Sequence, residues 1–489
     1  MAIGWKLYGD GRTPPVGEAV APHERLSWGR TVGIGAQHVV AMFGATFVFP
    51  IIMGLDPNLA IRMSGVATIM FLLIVQGKVP SYLGTSASFV GAVIVIREAG
   101  GTDGGVTGAI LVAGVVLALV GLIIHFAGAR VIHAVLPPAV TGAVVLLIGF
   151  NLAPVVADIY WPQDQWVALV TMTFVIVASL LLRGFWARIS IFLALIFGYL
   201  LSYLLDLTLG DITSVTPVSA GEAVPHSRTN FEGVSAADWI GLPTFHAPEF
   251  QVSFILLVLP AVIALLAENA GHVKAVAAMT KEDLDPSLGR AIFGDGVGTV
   301  LASSVGGSPT TTYAENIGVM AATRVYSTAA YYVAALVAIV FGLCPKFGAL
   351  IAATPGGVLG GITVVLYGMI GLLGAKIWRE NNVDFANPIN LVPLAAGVVI
   401  AIGNVNLQVT DDFSLQGISL GTIVAVVGWH LARVLAPREM REALRDEVGY
   451  PEGTGIAVGH AGVHREDDPG ATERETRAGE AGGIHPPRT

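Results

Sequence analysis

Among 489 residues there is one cysteine, Cys344, which excludes an internal disulfide and any metal centre built from several thiolates. Charge is also scarce. Asp, Glu, Lys and Arg together make up 12% of the chain, about half the share of a soluble domain. No Walker loop, kinase signature or dinucleotide fingerprint appears. Gly294-Asp295-Gly296-Val297-Gly298 lacks the strand-to-helix setting that a nucleotide site needs. The first 27 residues lack the charged-then-apolar layout of a signal peptide, so no cleavage is expected. The net charge of −9 says little about partners, because much of the acid lies in loops and in the C-terminal tail.

What is abundant is apolar residues (54%), with 60 Gly and 26 Pro. Apolar segments fall near 30–53, 59–77, 81–96, 107–128, 135–153, 164–182, 185–205, 252–272, 288–305, 309–323, 326–343, 357–374, 389–405 and 415–436. Runs of about 20 apolar residues read as membrane crossings. The expectation is an all-α polytopic membrane protein of about fourteen segments. With both termini on the inner side, eighteen Lys and Arg fall inside and four outside, namely Arg62, Arg97, Arg228 and Lys346. That bias sets the orientation and supports the count.

The loop over 206–250 is then outer and divides the chain into seven segments plus seven. Odd halves have opposite topology, the arrangement of inverted-repeat transporters. Two traces of such a repeat are visible. Gly142 to Gly149 matches Gly361 to Gly368, each preceded by a Pro. The short third and tenth segments also match, Pro80 to Ser86 against Pro309 to Tyr313. Paired short, interrupted segments are the best sequence pointer to a transporter's binding site. The segments over 1–27 and 438–489 are expected to be cytoplasmic, the latter a polar and mostly disordered tail.

Ser308 to Ser327 is the most unusual stretch, with a Pro, hydroxyls, Glu315 and Asn316 where a span should be plain. An ionisable residue in such a segment is a functional-site hypothesis. Glu315 is positioned to accept an N–H from a planar, amide-bearing ligand; the structural alternative is an acid holding an unwound backbone. Glu268 and His272, four residues apart, share one helix face and can share or relay a proton. Their alternative is an interfacial pair near Lys274. Gln37 and His38 lie in the first segment; His38 reads as a supporting hydrogen-bond partner of the eighth or tenth segment, with direct substrate contact as the alternative, and Asp295 reads as a further intramembrane acid close to the interface. Thr85, Ser86 and Ala87 can offer backbone N–H groups, or serve as ordinary small-residue packing. With no nucleotide site and with carboxylates plus His in the spans, a proton gradient is the expected energy source. No cofactor, metal, catalytic residue or nucleic-acid partner is expected.

At these residues the chain resembles the nucleobase–cation symporter family 2, also called the nucleobase–ascorbate transporters, and within it the bacterial uracil-transporting branch. The resemblance covers about 28–437. It rests on Gln37 to Thr46, on Gly77 to Gly84, on Ala267-Glu268-Asn269-Ala270-Gly271-His272, and above all on Thr310 to Met320 with Thr323 to Ser327. Purine-transporting relatives commonly carry Gln where Glu315 stands. The resemblance implies a core domain (28–128 and 252–343) and a gate domain (130–205 and 346–437), with segments 3 and 10 partly extended and the ligand between their ends. It implies substrate contacts from Glu268, Glu315, Ala314, Ala87, Ser86 and Tyr313. Coupling or supporting roles are implied for His272, His38, Gln37, Asn316 and Asp295, and a homodimer through the gate. Ala87 stands where the nearest relatives have an aromatic, Ala314 where they have Gly, and Asn269 where the family can have His. The implied activity is proton-coupled uracil import across a bacterial-type cytoplasmic membrane. The alternatives are a carrier of xanthine, urate or another small planar or anionic solute on the same fold, and then a channel or a non-transporting sensor.

Overall fold

A computed structural model describes residues 4–444, except 16, 129–133, 184, 217–221 and 411–412. Of the segment over 438–489, Arg438–Ala443 forms a short helix, and residues from 445 onward, including the stretch from 452 expected to be disordered, lie outside the described ones. The principal helices are labelled in chain order. The first four are α1 Trp28–Met53, α2 Pro57–Ile74, α3 Val90–Glu98 and α4 Asp103–Ala127. Next come α5 Pro138–Phe150, α6 Gln165–Leu181 and α7 Ser190–Leu209. The second half holds α8 Pro260–Thr280, α9 Asp285–Ser303, α10 Ala314–Thr323 and α11 Thr328–Phe341. It ends with α12 Gly356–Glu380, α13 Pro388–Ile402 and α14 Gly417–Leu435.

Among the described residues, eight helices are long and apolar enough to cross a membrane, or nine if α11 and the helix Pro345–Ala352, bent by 85°, count as one span. α6 and α13 are apolar but shorter. α3 and α10 are shorter still, because each shares its segment with a strand. Start signals are local: Asp56 accepts the N–H of Asn58 at 2.7 Å ahead of Pro57, and Asp164 caps α6 through Val167 at 3.0 Å.

Close helix packing falls into two groups. In one, α9 lies against α4 and α2, and α11 against α1 and α2. In the other, α12 lies against α5 and α6, and α13 against α14. Glycine permits the closest approaches. A Cβ on Gly121 of α4 would stand 2.3 Å from the backbone nitrogen of Phe293 in α9.

The polar N-terminal stretch is built into the fold. Lys6–Leu7 pairs in parallel with Glu24–Arg25, Val20 bridges Val325, and the Trp5 indole donates to Thr328 Oγ1 at 2.8 Å. In the long loop, Ile212–Val215 and Ala223–His226 form a hairpin. Arg228 then pins that loop to Asp164 at 2.8 Å and Asp206 at 3.2 Å.

Candidate functional site

The site is organised by two three-residue strands, β1 Leu83–Thr85 and β2 Thr310–Thr312, paired antiparallel with Leu83 opposite Thr312 and Thr85 opposite Thr310. The pairing extends outward through Ser86 N to Pro309 O at 2.9 Å and Tyr313 N to Tyr82 O at 3.0 Å. Each strand runs into a helix: β1 through a 3₁₀ turn at Ala87–Phe89 into α3, and β2 directly into α10.

A two-stranded ladder leaves both outer edges unpaired, which is costly away from water. Two threonines solve this in the same way. Thr68 Oγ1 of α2 accepts the N–H of Leu83 at 2.9 Å and donates to its carbonyl at 3.4 Å. Thr299 Oγ1 of α9 accepts the N–H of Thr310 at 3.1 Å and donates to its carbonyl at 3.0 Å. The sequence holds a signal for these braces that was not read there: Gly65-Val66-Ala67-Thr68 recurs as Gly296-Val297-Gly298-Thr299. Thr299→Val leaves a buried N–H and a buried carbonyl without partners, at about 1–3 kcal/mol each. A lowered thermal midpoint relative to Thr299→Ser, which keeps the hydroxyl, is the expected result; equal midpoints for the two variants would contradict the brace.

Tyr313, expected among the ligand contacts, has its polar side-chain atom engaged within the protein. Its hydroxyl donates to the Thr85 carbonyl at 2.7 Å and receives Thr46 Oγ1 at 3.2 Å. The ring lies across Gly84, where a Cβ would come within 2.4 Å of Tyr313 Cζ. Gly84→Ala therefore forces the ring and the strand pair apart. Its expected effect is loss of uptake at normal protein levels; wild-type uptake would show that the strand pair tolerates the displacement.

Three acids converge beside this pair. Glu268 of α8 lies within electrostatic reach of both Asp295 of α9 and Glu315 of α10. Glu315 is the second residue of α10, where first-turn N–H groups lack helical partners and the helix dipole favours negative charge. Glu268 and Glu315 are half-buried, and neither carboxylate makes a side-chain hydrogen bond to another described residue. Asp295 is fully buried, and its Oδ2 receives Asn269 Nδ2 at 2.5 Å. Asn269 Oδ1 receives Thr312 Oγ1 at 3.2 Å, and Thr312 Oγ1 meets His272 Nδ1 at 2.8 Å.

The remaining expected residues fall into two groups, His38, Asn316 and Gln37 set among protein groups, and Ser86, Ala87 and Ala314 at the strand-to-helix turns. Asn316 Nδ2 donates to His38 Nδ1 at 3.1 Å and to the His38 carbonyl at 2.9 Å. His38 is fully buried and its ring lies 4.3 Å from that of Tyr331 at a tilt of 34°, so its contacts are with protein. Gln37 Oε1 is buried without a hydrogen-bond partner among the described residues. Ser86 accepts the Ser88 N–H at 3.3 Å, while Ala87 and Ala314 are half-buried at the two strand-to-helix turns. The structure thus brings Glu268, Asp295, Glu315 and His272 to one end of the β2–α10 junction and sets His38 and Asn316 behind it. Thr312, Asn269, Thr46, Thr68 and Thr299 are additional participants. Among the described residues no group of three His, Cys, Asp or Glu side chains is arranged to hold a metal ion.

Comparison with known proteins agrees in kind. Residues 29–410 match the family model Xan_ur_permease, described as a permease family. The chain is 43% identical over 442 residues to RutG, a candidate pyrimidine permease of Escherichia coli (strain K12), covering 88% of this chain and 95% of that protein. It is 36% identical over 420 residues to the uracil permease of Bacillus caldolyticus, covering 83% and 92%. Among solved structures, the transmembrane domain of the cyanobacterial bicarbonate transporter BicA superposes with a TM-score of 0.55 at 14% identity, covering 81% of this chain and 96% of that one. Murine Slc26a9, an anion transporter in an inward-facing state, gives 0.60 at 11% identity, covering 83% and 68%. These two likenesses concern the fold alone.

Proposed function

The chain belongs to this permease family, and we propose that within it the protein is a proton-coupled importer of uracil. The carrying observation is the pair of half-buried carboxylates, Glu268 and Glu315, without side-chain partners, beside the first-turn N–H groups of α10. Uracil is neutral and planar, with two N–H donors and two carbonyl acceptors. The carboxylates match the donors, and backbone N–H groups at the strand-to-helix turns, where Ala87 and Ala314 sit, match the acceptors. The relatives named uracil permease support the same choice.

In this reading the fourteen sequence segments are all spans, including the two strand–helix segments, and form two inverted repeats. The recurring Gly-Val-(Ala/Gly)-Thr element and its identical bracing role support that repeat. The helix group containing α1–α4 and α8–α11 would be the moving core, and that containing α5–α7 and α12–α14 the gate, with both termini cytoplasmic. The protein would sit in the cytoplasmic membrane and pair through the gate as a homodimer. Glu268, facing two other acids, is the group assigned the coupled proton: three bare charges in a partly dry site repel, and neutralising one lets the loaded core move past apolar surroundings.

Binding to purified protein tests the ligand match directly. Uracil is expected to bind, and 1,3-dimethyluracil, whose two N–H groups are capped, to bind at least about a hundredfold more weakly, since two carboxylates then lose their donors. Equal affinities would remove the carboxylates from ligand recognition.

A further inference from the structure

We propose that Thr312 is a positioning residue that fixes His272 in the Nδ1–H tautomer and so makes Nε2 the ring's sole proton acceptor. One hydrogen-bond chain, from Asp295 through Asn269 and Thr312 to His272, fixes where its protons lie. Asn269 Nδ2 reaches the Leu265 carbonyl at 3.2 Å and Asp295 Oδ2 at 2.5 Å. The carbonyl can only accept, which identifies that atom as the NH₂ group whatever the state of Asp295. The amide oxygen therefore faces Thr312 Oγ1 at 3.2 Å and can only accept. The single hydroxyl proton of Thr312 goes to it. Toward His272 Nδ1, at 2.8 Å, Thr312 is left as an acceptor, so Nδ1 carries the proton.

His272 also meets the backbone of Thr312, Nε2 makes no side-chain hydrogen bond among the described residues, and the residue is half-buried, one helical turn from Glu268. A proton arriving at the ring binds at Nε2 without disturbing the chain. The same chain does not relay that proton to Asp295, because the Asn269 amide lies between them and does not titrate. It transmits orientation from β2 to α8. The titratable or charged groups on α8 and on the helices packed against it are Glu268 and Lys274 on α8, Asp285, Arg290 and Asp295 on α9, Tyr313 and Glu315 at the start of α10, Asp103 and His125 on α4, and His430 and Arg433 on α14; α5 has none along its length.

The significance for transport rests on the proton-coupled reading above; the tautomer does not, which keeps the two separable. The test is ¹⁵N-histidine NMR on the purified protein at mildly alkaline pH, with His272→Gln used to assign the signal. The expected wild-type spectrum shows His272 protonated at Nδ1 and bare at Nε2, and Thr312→Val loses that signature. A wild-type His272 protonated at Nε2, or a Thr312→Val spectrum unchanged at this residue, would overturn the proposal. In uptake assays, Thr312→Val places a methyl against Nδ1 and is expected to move the pH profile to acid by about one unit or more. Thr312→Ser restores the profile. A purely structural role lowers uptake without moving the profile; that outcome, or failure of Thr312→Ser to restore it, also overturns the proposal.

Discussion

Replacing Glu315 by Gln is expected to lower uracil uptake by about a hundredfold while the protein still reaches the membrane. Glu315 sits in the first turn of α10, so its charge is favoured by the helix end and its backbone is already fixed by the strand pair before it. A carboxylate accepting an N–H forms a charge-assisted bond worth about 1.5–3 kcal/mol net, against about 0.5–1.5 for a neutral amide. Gln also presents an NH₂ group to the ligand, which must be turned away from the uracil donor. Because no other described side chain hydrogen-bonds Glu315, the substitution leaves no protein group orphaned, and stability is expected to hold. Uptake of labelled uracil, normalised to protein in isolated membranes, measures the effect. Normal uptake would remove Glu315 from the ligand site.

Glu268→Gln is expected to abolish uphill accumulation for a different reason. Glu268 lies within electrostatic reach of both Asp295 and Glu315. An amide is a fair copy of the protonated acid but has no proton to release. Such a variant can still hold uracil and exchange internal for external ligand, yet cannot be driven by a proton gradient. In proteoliposomes the expected result is retained exchange with no accumulation under an imposed pH gradient. Accumulation at the wild-type level would move the coupled proton to another group, and loss of exchange as well would make Glu268 a binding residue first.

Different parts of this architecture were legible in the sequence to different degrees, for physical reasons. Glu315, Asn316 and Glu268 stand out because polar groups in apolar runs are expensive, so each one asks for an explanation. The short strand-bearing segments were visible because a Pro and a row of hydroxyls interrupt a span. Thr68, Thr299 and Thr46 were not visible, because threonine is common in transmembrane helices and its role appears only once a strand edge lies beside it. The family resemblance implies a ligand contact from Tyr313; alternation along the extended backbone aims its ring across Gly84, at Thr46 and Thr85, which the sequence does not reveal. The N-terminal stretch reads in the sequence only as a polar segment, since its contacts, such as Trp5 with Thr328, join residues more than 300 positions apart.

In the proposed mechanism two carboxylates, at the β2–α10 junction and on α8, select uracil, and a proton drives it inward. Uptake of labelled uracil into energised cells, with and without a protonophore and with competing nucleobases, tests both parts together. Uphill accumulation that collapses with the protonophore and is not displaced by xanthine or urate is expected. Displacement by xanthine without accumulation of uracil, or passive flux indifferent to pH, would contradict that mechanism.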